Sequence, residues 1–312
     1  MKIIYFGTSA FGIPALNVLK KSSHQILTVA TMPDKPQGRH LKIQPSPVKE
    51  WALENRLPLF EFSDINSAES LQRLKGLGAD LFVVISFGVI FSKEFIAIPR
   101  RMALNVHPSL LPRYRGAAPM PWALMNGDKE TGVSIVRVEE RLDAGDILLQ
   151  KKMKILPEDD IISLEARLSG VGAEALVEGI DLIERGSAVL TPQGKDNLFY
   201  ARKLSKEDGH VKWAAPASEI RNHIRAMLVW PGSYCFYKGH RIIVLETSVS
   251  GSEIVSKSRP GTVIAASRSG GILVAAGDGP LEIKTLQIEG RKPLSAKEFL
   301  NGFPLEPGQI LE

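Results

Sequence analysis

The chain has 312 residues, 44% of them hydrophobic, and its 39 Lys and Arg against 34 Asp and Glu give a formal net charge of +5. This length can bury one large core or two ordinary ones, and we predict two domains. The single cysteine excludes a disulfide framework within the chain, and the longest apolar stretch, residues 81–91, is far shorter than the roughly 20 residues of a membrane span. We therefore expect a cytoplasmic protein that does not bind membranes.

The first half of the chain alternates short apolar strands with helical stretches, a pattern typical of a doubly wound parallel sheet. Strands are predicted at residues 3–6, 26–31, 81–85 and 102–106, and helices at residues 13–21, 48–55 and 68–75. Residues 131–138 and 147–155 predict two further strands, which run antiparallel to each other if only a short loop joins them. A long helix is predicted at residues 158–185, and Gly186 ends it.

The last third of the chain changes to short strands. A predicted helix at residues 217–228 precedes strands at 234–237, 241–246, 261–265, 272–275 and 281–287, which Gly, Ser and Pro separate. Five short strands with turn signals between them predict a small β-barrel. We therefore predict a first domain at residues 1–189, a linker at 190–205 and a second domain at 206–312.

A near-match to a dinucleotide-binding fingerprint follows the first strand. Gly7 and Gly12 occupy its first and last glycine positions, but Ser9 stands where a glycine would let the backbone approach a pyrophosphate. No acidic residue ends the second predicted strand to bind a ribose. We predict that the two glycines serve a tight turn between strand and helix instead.

The most informative stretch is residues 105–116, with the sequence N-V-H-P-S-L-L-P-R-Y-R-G. Asn105 and His107 are two residues apart on a predicted strand, so their side chains point to the same side. The imidazole can exchange a proton near pH 7, and the amide offers a neutral N–H donor. Asp143, in L-D-A-G-D at residues 142–146, can orient the imidazole. Taken one at a time, these residues are more typical of a strand end and two turns than of a catalytic site.

These two stretches together resemble the signature of the folate-dependent formyltransferases. Within that family the likeness is greatest to the members that act on methionyl initiator tRNA, and it extends along the whole chain. The matching stretches are F-G-T-S at residues 6–9, D-K-P-x-G-R at 34–39, P-S-P-V-K at 45–49, R-Y-R-G-A-A-P at 113–119, Y-A-R-K-L-S-K-E at 200–207 and G-D-G-P-L at 277–281. The resemblance implies a Rossmann-like α/β domain with a parallel-rich sheet, followed by a small OB-like barrel.

The resemblance also implies the residues of the site. The implied catalytic set is Asn105, His107 and Asp143. The implied folate contacts lie in two segments and comprise Phe87, Gly88, Val89, Ile90, Ser109, Leu110, Leu111 and Pro112. Phe87 and the Phe91-Ser92 pair depart from the Tyr and Leu-Pro of the family's pattern, which affects the expected packing of side chains in the first segment. The folate assignment is kept, because the contacts in this segment are mostly made by the backbone.

A basic segment is the implied contact with tRNA, and the second domain, residues 206–312, is expected to add contacts to the tRNA backbone. Residues 35–49 contain four cations and no acid. The contacts implied by the resemblance are Lys35, Arg39 and Lys42, and a solvated surface loop is the alternative.

The implied activity is transfer of the formyl group of 10-formyltetrahydrofolate to the α-amino group of methionyl initiator tRNA, by a monomer that needs no metal. Three alternatives remain open: a 10-formyltetrahydrofolate hydrolase-type enzyme, a nucleotide-sugar N-formyltransferase, and an inactive RNA-binding module. The basic segment and the second domain count against the sugar enzyme. The presence of all three catalytic residues counts against the inactive module.

Overall fold

The computed structural model describes residues 1–37, 42–249, 258–267 and 269–312, with the backbone alone at residues 35–37 and 42. The chain forms two compact units. The first contains residues 1–119, 130–154 and 165–202, and the second contains residues 120–129, 155–164 and 203–312. The second unit thus includes two short segments from the first half of the chain. The predicted linear division, with a linker at 190–205, remains a prediction. It assigns these two segments to the first domain and not to the second.

Among the residues that the structure describes, nine strands precede the long helix. They are β1 (Lys2–Gly7), β2 (Gln25–Thr31), β3 (Lys35–Gln37), β4 (Lys42–Gln44), β5 (Leu59–Glu61), β6 (Leu81–Ile85), β7 (Met102–His107), β8 (Glu130–Arg137) and β9 (Ile147–Lys154). Seven of them form one sheet in the order β5-β2-β1-β6-β7-β8-β9. The neighbours from β5 to β7 are parallel, whereas β8 is antiparallel to both β7 and β9. The predicted α/β fold with a parallel-rich sheet is confirmed.

The α-helices described alongside these strands are α1 (Ile13–Lys21), α2 (Pro47–Glu54), α3 (Ala68–Gly76), α4 (Lys93–Ile96), α5 (Pro119–Met125) and α6 (Ile161–Glu184). Serine caps start three of them, because the hydroxyls of Ser46, Ser67 and Ser92 accept hydrogen bonds from the first turns of α2, α3 and α4. Helix α6 packs against the sheet through glycines. A Cβ atom at Gly172 would lie 3.1 Å from Val106 Cγ1 on β7.

The turn after β1 leaves room for a tyrosine. A Cβ atom at Gly12 would lie 1.9 Å from the Tyr5 hydroxyl, and one at Gly7 would lie 2.8 Å from the Ile85 carbonyl oxygen. Tyr5 is fully buried, and its burial raises the pKa of the phenol far above its usual range. The two glycines therefore permit the backbone to pack closely around a core side chain.

The second unit contains an antiparallel sheet. Its strands are β10 (Ser233–Tyr237), β11 (His240–Val249), β12 (Val263–Ser267), β13 (Gly271–Ala275), β14 (Pro280–Ile288) and β15 (Leu294–Ser295). They follow the order β10-β11-β14-β13-β12, with β15 paired to β14, which is consistent with the predicted small barrel. The helices are α7 (Ala217–Ala226) and α8 (Ala296–Gly302).

The core of the second unit follows from strand alternation. On β10, Ser233, Cys235 and Tyr237 are buried, whereas Phe236 is exposed. Burial raises the pKa of the Cys235 thiol to about 12, so this cysteine acts as a small apolar core residue. Within the described part of the chain, every helix is too short or too polar to cross a membrane.

Candidate active site

The predicted site residues begin at one edge of the first sheet. Strands β6 and β7 are parallel neighbours, and Val84 pairs with Asn105. Their carboxyl ends therefore lie at the same edge, where open α/β sheets bind ligands. Strand β7 carries Asn105 and His107 to this edge, and the loop that contains Phe87 follows β6.

The three predicted catalytic residues meet at one carboxylate. Asn105 Nδ2 donates a hydrogen bond to Asp143 Oδ1 at 3.1 Å, and His107 Nδ1 lies 3.6 Å from the same oxygen. The other oxygen, Asp143 Oδ2, accepts a hydrogen bond from the Gly116 backbone N–H at 2.9 Å. The side chains of His107 and Asp143 are only 5% and 7% exposed. Such burial strengthens the interactions among these groups because little water screens them.

The hydrogen bonds of His107 fix its tautomer. Its Nε2 atom lies 2.8 Å from the carbonyl oxygen of Tyr114, which can only accept, so Nε2 carries a hydrogen. The other nitrogen, Nδ1, faces Asp143 and is the atom left for proton exchange. A protonated imidazole donates from both nitrogens here, toward Tyr114 and Asp143, whereas the neutral ring donates only to Tyr114. The geometry therefore suits a histidine that becomes charged during a reaction.

Residues that the sequence analysis assigned no role hold the Asp143 loop. Asp143 has a φ of 50°, in the left-handed region that few residues with side chains adopt. Gln193 Nε2 donates to the carbonyl oxygens of Asp143 and Gly145 at 2.9 and 2.7 Å. Gln193 Oε1 in turn accepts from Nε and Nη2 of Arg115 at 2.9 and 2.7 Å. Arg115 and Gly116 belong to the quoted R-Y-R-G motif, but no pattern in the sequence marked Gln193.

Two glycines permit the close backbone contacts around this loop. Gly116 has a φ of 110°, and a Cβ atom there would lie 2.7 Å from the Ala201 carbonyl oxygen. A Cβ atom at Gly145 would lie 1.8 Å from the Arg137 carbonyl oxygen. A side chain at either position would displace the backbone on which Asp143 depends.

The first predicted folate segment is a loop anchored at both ends. Thr8 Oγ1 donates to the Ser86 carbonyl oxygen at 2.7 Å, and Asn66 Nδ2 donates to the Ile90 carbonyl oxygen at 2.9 Å. Ser86 and Gly88 have positive φ values of 51° and 69°. The loop therefore turns sharply twice, at Ser86 and at Gly88.

The side chains of this segment divide between core and surface. The Phe87 ring is 4% exposed and packs edge-on against Phe6, with 5.7 Å between ring centroids. It also stacks on Phe91. Val89 packs partly buried against the same cluster, whereas Ile90 is 71% exposed. The ring of Phe87 thus packs in the core, so only the backbone of this residue is available to a ligand.

The second predicted folate segment forms the turn after β7. Ser109 is fully buried, its hydroxyl donates to the Arg113 carbonyl oxygen, and its carbonyl oxygen accepts from Ser134 Oγ at 2.6 Å. Leu111 is also buried, and its carbonyl oxygen accepts from Gln150 Nε2 at 2.9 Å. Leu110 and Pro112 remain partly exposed. Ser109 and Leu111 therefore shape the turn from inside, and Leu110 and Pro112 provide its accessible surface.

The basic segment forms a hairpin in which β3 and β4 pair antiparallel. Lys35 lies opposite Gln44, and Lys42 lies opposite Gln37. Arg39 lies outside the described residues. Lys49, the fourth cation of the segment, contacts Asp34 and Glu61 at 2.8 Å each, and the hydrogen bond to Asp34 is the main cause of its raised pKa. Internal acids thus neutralise Lys49, which agrees with its omission from the predicted tRNA contacts.

One group of possible metal ligands occurs among the described residues, and spacing along the sequence did not predict it. Ligand atoms of His24, Asp181 and Glu184 lie within 4.8 Å of one another. The amino group of Met1 contacts His24 Nδ1 at 3.2 Å and Glu184 at 3.3 Å, and His24 Nε2 lies 3.4 Å from Asp181. These contacts engage both nitrogens of the imidazole and both carboxylates.

Comparison with known structures supports the fold. The chain superposes with a TM-score of 0.66 on an N-formyltransferase from Helicobacter canadensis in complex with folinic acid and dTDP-3-aminofucose, at 16% identity over 91% of this chain and 98% of that one. It also superposes on HypX from Aquifex aeolicus in complex with tetrahydrofolic acid, with a TM-score of 0.64 and 18% identity over 100% of this chain and 50% of that one. At these identities the likeness establishes the fold alone.

Comparison of sequences establishes the family. Residues 1–180 match the family described as "Formyl transferase", and residues 203–304 match "Formyl transferase, C-terminal domain". The methionyl-tRNA formyltransferase of Sulfurihydrogenibium sp. is 39% identical over 100% of both chains. That of Geobacter sulfurreducens is 40% identical over 100% of this chain and 96% of its own. The chain therefore belongs to the formyltransferase family, in the branch of the methionyl-tRNA formyltransferases.

Proposed function

We propose that this protein transfers the formyl group of 10-formyltetrahydrofolate to the α-amino group of methionyl initiator tRNA, for translation initiation. The observation that carries the reaction is the buried cluster in which Asn105 and His107 share Asp143 Oδ1. The acceptor is supported by likeness to methionyl-tRNA formyltransferases along the full chain. The sugar N-formyltransferase alternative has only the distant likeness of a shared fold.

The first step is attack of the amine on the formyl carbon. A nitrogen–carbon bond forms, and the formyl oxygen becomes an anion in a tetrahedral intermediate. Asn105 uses one N–H to bind Asp143, and among the described residues no acceptor binds its second N–H. We assign that second N–H to the anionic oxygen. The loss of one such donor typically lowers the rate by ~100- to 1000-fold.

The second step moves one proton. The attacking amine must be neutral, and α-amino groups titrate near ~8, so a moderate base is sufficient. Nδ1 of His107 accepts the proton that this nitrogen loses, because Nε2 is engaged by Tyr114. The same proton then passes to N10 of the folate as the bond from N10 to the formyl carbon breaks. The products are tetrahydrofolate and formylmethionyl-tRNA, and the carboxylate of Asp143 stabilises the charged imidazole between the two transfers.

We assign the formyl donor to the two predicted folate segments. A flat pterin ring needs hydrogen-bonding groups in its plane and apolar cover on its faces. The backbone of residues Phe87, Gly88, Val89 and Ile90 supplies the first, and the exposed parts of Ile90, Leu110 and Pro112 supply the second. The folinic acid and tetrahydrofolic acid named with two structures of this fold support a folate donor.

We assign the acceptor stem of the tRNA to the basic segment. Lys35 and Lys42 stand on the two strands of one hairpin, and Arg39 lies between these strands in sequence. Cations in such a segment can neutralise phosphates, which provides affinity without sequence specificity. Arg39 can in addition bind a base edge or phosphate through two parallel hydrogen bonds.

The decisive experiment follows both products at once. The protein is incubated with 10-formyltetrahydrofolate in the presence and absence of methionyl initiator tRNA, and tetrahydrofolate and formylmethionyl-tRNA are measured separately. We expect equal amounts of both products and little folate turnover without tRNA. Formate release without tRNA formylation would instead identify a hydrolase. Binding of tRNA without any turnover would identify an inactive RNA-binding module.

A further inference from the structure

Gln193 uses its whole hydrogen-bonding capacity within the candidate active site. It lies in the connector after α6, two residues beyond Thr191, whose backbone exchanges hydrogen bonds with Ile147 at 2.8 and 2.9 Å. Its amide nitrogen donates twice, to the carbonyl oxygens of Asp143 and Gly145, and its amide oxygen accepts twice from Arg115. Four such bonds are the capacity of a primary amide. Gln193 thus makes these contacts although its neighbours at 191, 192 and 194–198 are exposed.

Arg115 is a fixed anchor for this amide. The residue is 8% exposed, its backbone N–H donates to the Phe199 carbonyl oxygen at 3.0 Å, and its carbonyl oxygen accepts from the Ala201 N–H at 2.7 Å. The next residue, Gly116, donates its N–H to Asp143 Oδ2. Arg115 and Gly116 therefore reach Asp143 by two routes, one through Gln193 to its backbone and one directly to its carboxylate.

Only the route through Gln193 acts on the backbone of Asp143. A left-handed aspartate persists where surrounding bonds determine its conformation. The Asp143 carbonyl belongs to the peptide between Asp143 and Ala144, and the Gly145 carbonyl belongs to the peptide between Gly145 and Asp146. Gln193 therefore holds one peptide plane on each side of the Ala144–Gly145 pair. Rotation of the first plane would turn the Asp143 carboxylate away from Asn105 and His107.

We infer that Gln193 is a positioning residue of the reaction, which holds the left-handed Asp143 so that one carboxylate oxygen meets both Asn105 and His107. The inference rests on the proposed function. Gln193 has no contact with the reacting groups themselves in this arrangement; it acts through Asp143.

Replacement of Gln193 by glutamate separates positioning from packing. In Gln193→Glu the side chain keeps its size, and its carboxylate can still bind Arg115, with the added attraction of opposite charges. The two N–H donors are absent, however, and an anionic oxygen would face the carbonyl oxygens of Asp143 and Gly145. We expect kcat to fall by on the order of 100-fold, the effect of displacing a catalytic group by about 1 Å. The KM for the folate should stay unchanged.

The matched control is Gln72→Glu, which makes the same chemical change on the exposed face of α3. A second measurement uses the ring nitrogen resonances of His107 in protein labelled with 15N-histidine, assigned by their loss in His107→Ala. We expect these resonances to shift in Gln193→Glu and not in Gln72→Glu. A wild-type kcat in Gln193→Glu, or a lowered kcat with unshifted His107 resonances, would overturn the inference. If the wild-type protein transfers no formyl group, the proposed function is refuted. The resonance measurement would still test whether Gln193 positions Asp143.

Discussion

At the scale of single residues, the candidate catalytic groups do not contact one another in series, with each group binding only the next. The sequence predicts that Asp143 orients His107, and the structure adds that the same oxygen binds Asn105. The proposed donor for the anionic oxygen and the proposed proton carrier therefore depend on one atom. The bond from His107 Nε2 to Tyr114 also settles which nitrogen is left for the substrate.

Removal of His107 or Asp143 tests this arrangement. We expect His107→Ala to lower kcat by ~100- to 10,000-fold, the usual contribution of general acid–base catalysis. Asp143→Ala should cause a comparable loss because it releases both partners. The double variant should lose much less than the product of the two losses, since the groups act as a unit. Steady-state kinetics of the four proteins measures this, and losses that multiply would show independent action.

His223 predicts a dependence of stability on pH. Its Nε2 atom donates to the Asp208 carbonyl oxygen at 2.6 Å, and burial lowers its pKa from the ordinary value of 6.5. The unfolded chain therefore binds a proton at a higher pH than the folded one does. The contribution of His223 to the free energy of unfolding should be fully present above pH 6.5. It should be lost as the pH drops through 6.5 toward the folded-state pKa.

Urea unfolding at several pH values on both sides of 6.5 measures this effect. His223→Gln should flatten the fall in stability over this range, because the variant has no imidazole to protonate. The control is His240→Gln, at an exposed position. An unchanged slope in His223→Gln would contradict the assignment.

At the scale of secondary structure, the long buried strands were predictable and the short ones were not. The bounds of β1, β2, β6 and β7 agree with the predictions to within one residue at each end. These strands are continuous apolar runs, which parallel sheets bury on both faces. Strands β3, β4 and β5 have three residues each, too few for any periodic signal, and no prediction included them.

The β3–β4 hairpin carries a testable role. Replacement of Lys35, Arg39 and Lys42 by glutamine should weaken tRNA binding and reduce its dependence on salt. If RNA behaves as DNA does, the slope of log affinity against log salt should decrease by about 0.9 for each phosphate that the variant no longer neutralises. Arg39→Lys keeps the charge and should still impair formylation, because an ammonium cannot form two parallel bonds. Folate affinity should not change. Wild-type tRNA binding in the triple variant would show that the hairpin is a solvated surface loop with no role in tRNA binding.

Two glycines of α6 should respond in different ways to alanine. No atom lies within 4 Å of a Cβ at Gly170, so Gly170→Ala should raise stability by about 0.5–1 kcal/mol through the preference for helix. Gly172→Ala should gain the same helix preference. Its added methyl group, however, would press on Val106, which lies between Asn105 and His107 in the sequence. We expect it to be less stable than Gly170→Ala by about 1 kcal/mol and to have a lower kcat. Thermal unfolding and kinetics compare the pair, and equal behaviour would contradict this packing.

At the scale of the whole molecule, the second unit includes residues 120–129 and 155–164 in addition to 203–312. Arg225 on α7, for example, donates to the Asp159 carbonyl oxygen at 2.9 Å. We expect a fragment that ends at Arg202 to keep its sheet and to bind folate, because the first unit has its own core. Its affinity for tRNA should fall.

The same fragment tests the predicted division of the chain. It leaves residues 120–129 and 155–164 without the partners of their unit, so its melting temperature should lie below that of the full chain. Circular dichroism and folate titration measure both effects. An unfolded fragment would show that the first unit depends on the rest of the chain.

The proposed catalytic set could be named from the sequence for a local reason, whereas its supports could not. Asn105 and His107 stand two residues apart on one strand, and Asp143 lies in a motif of its own. Gln193 is 50 residues from Asp143, in an exposed connector without periodicity. A contact of that kind is determined by how the chain folds back on itself, which neither propensity nor spacing records.

The shared oxygen of Asp143 has a genetic consequence. A missense change at codon 143 removes the partner of an amide and of an imidazole together, whereas a change at codon 105 or 107 removes only one of them. A mutational scan should therefore tolerate fewer replacements at codon 143 than at either of the others. Directed evolution toward a different acceptor amine would keep this codon fixed and diversify the loops that meet the acceptor.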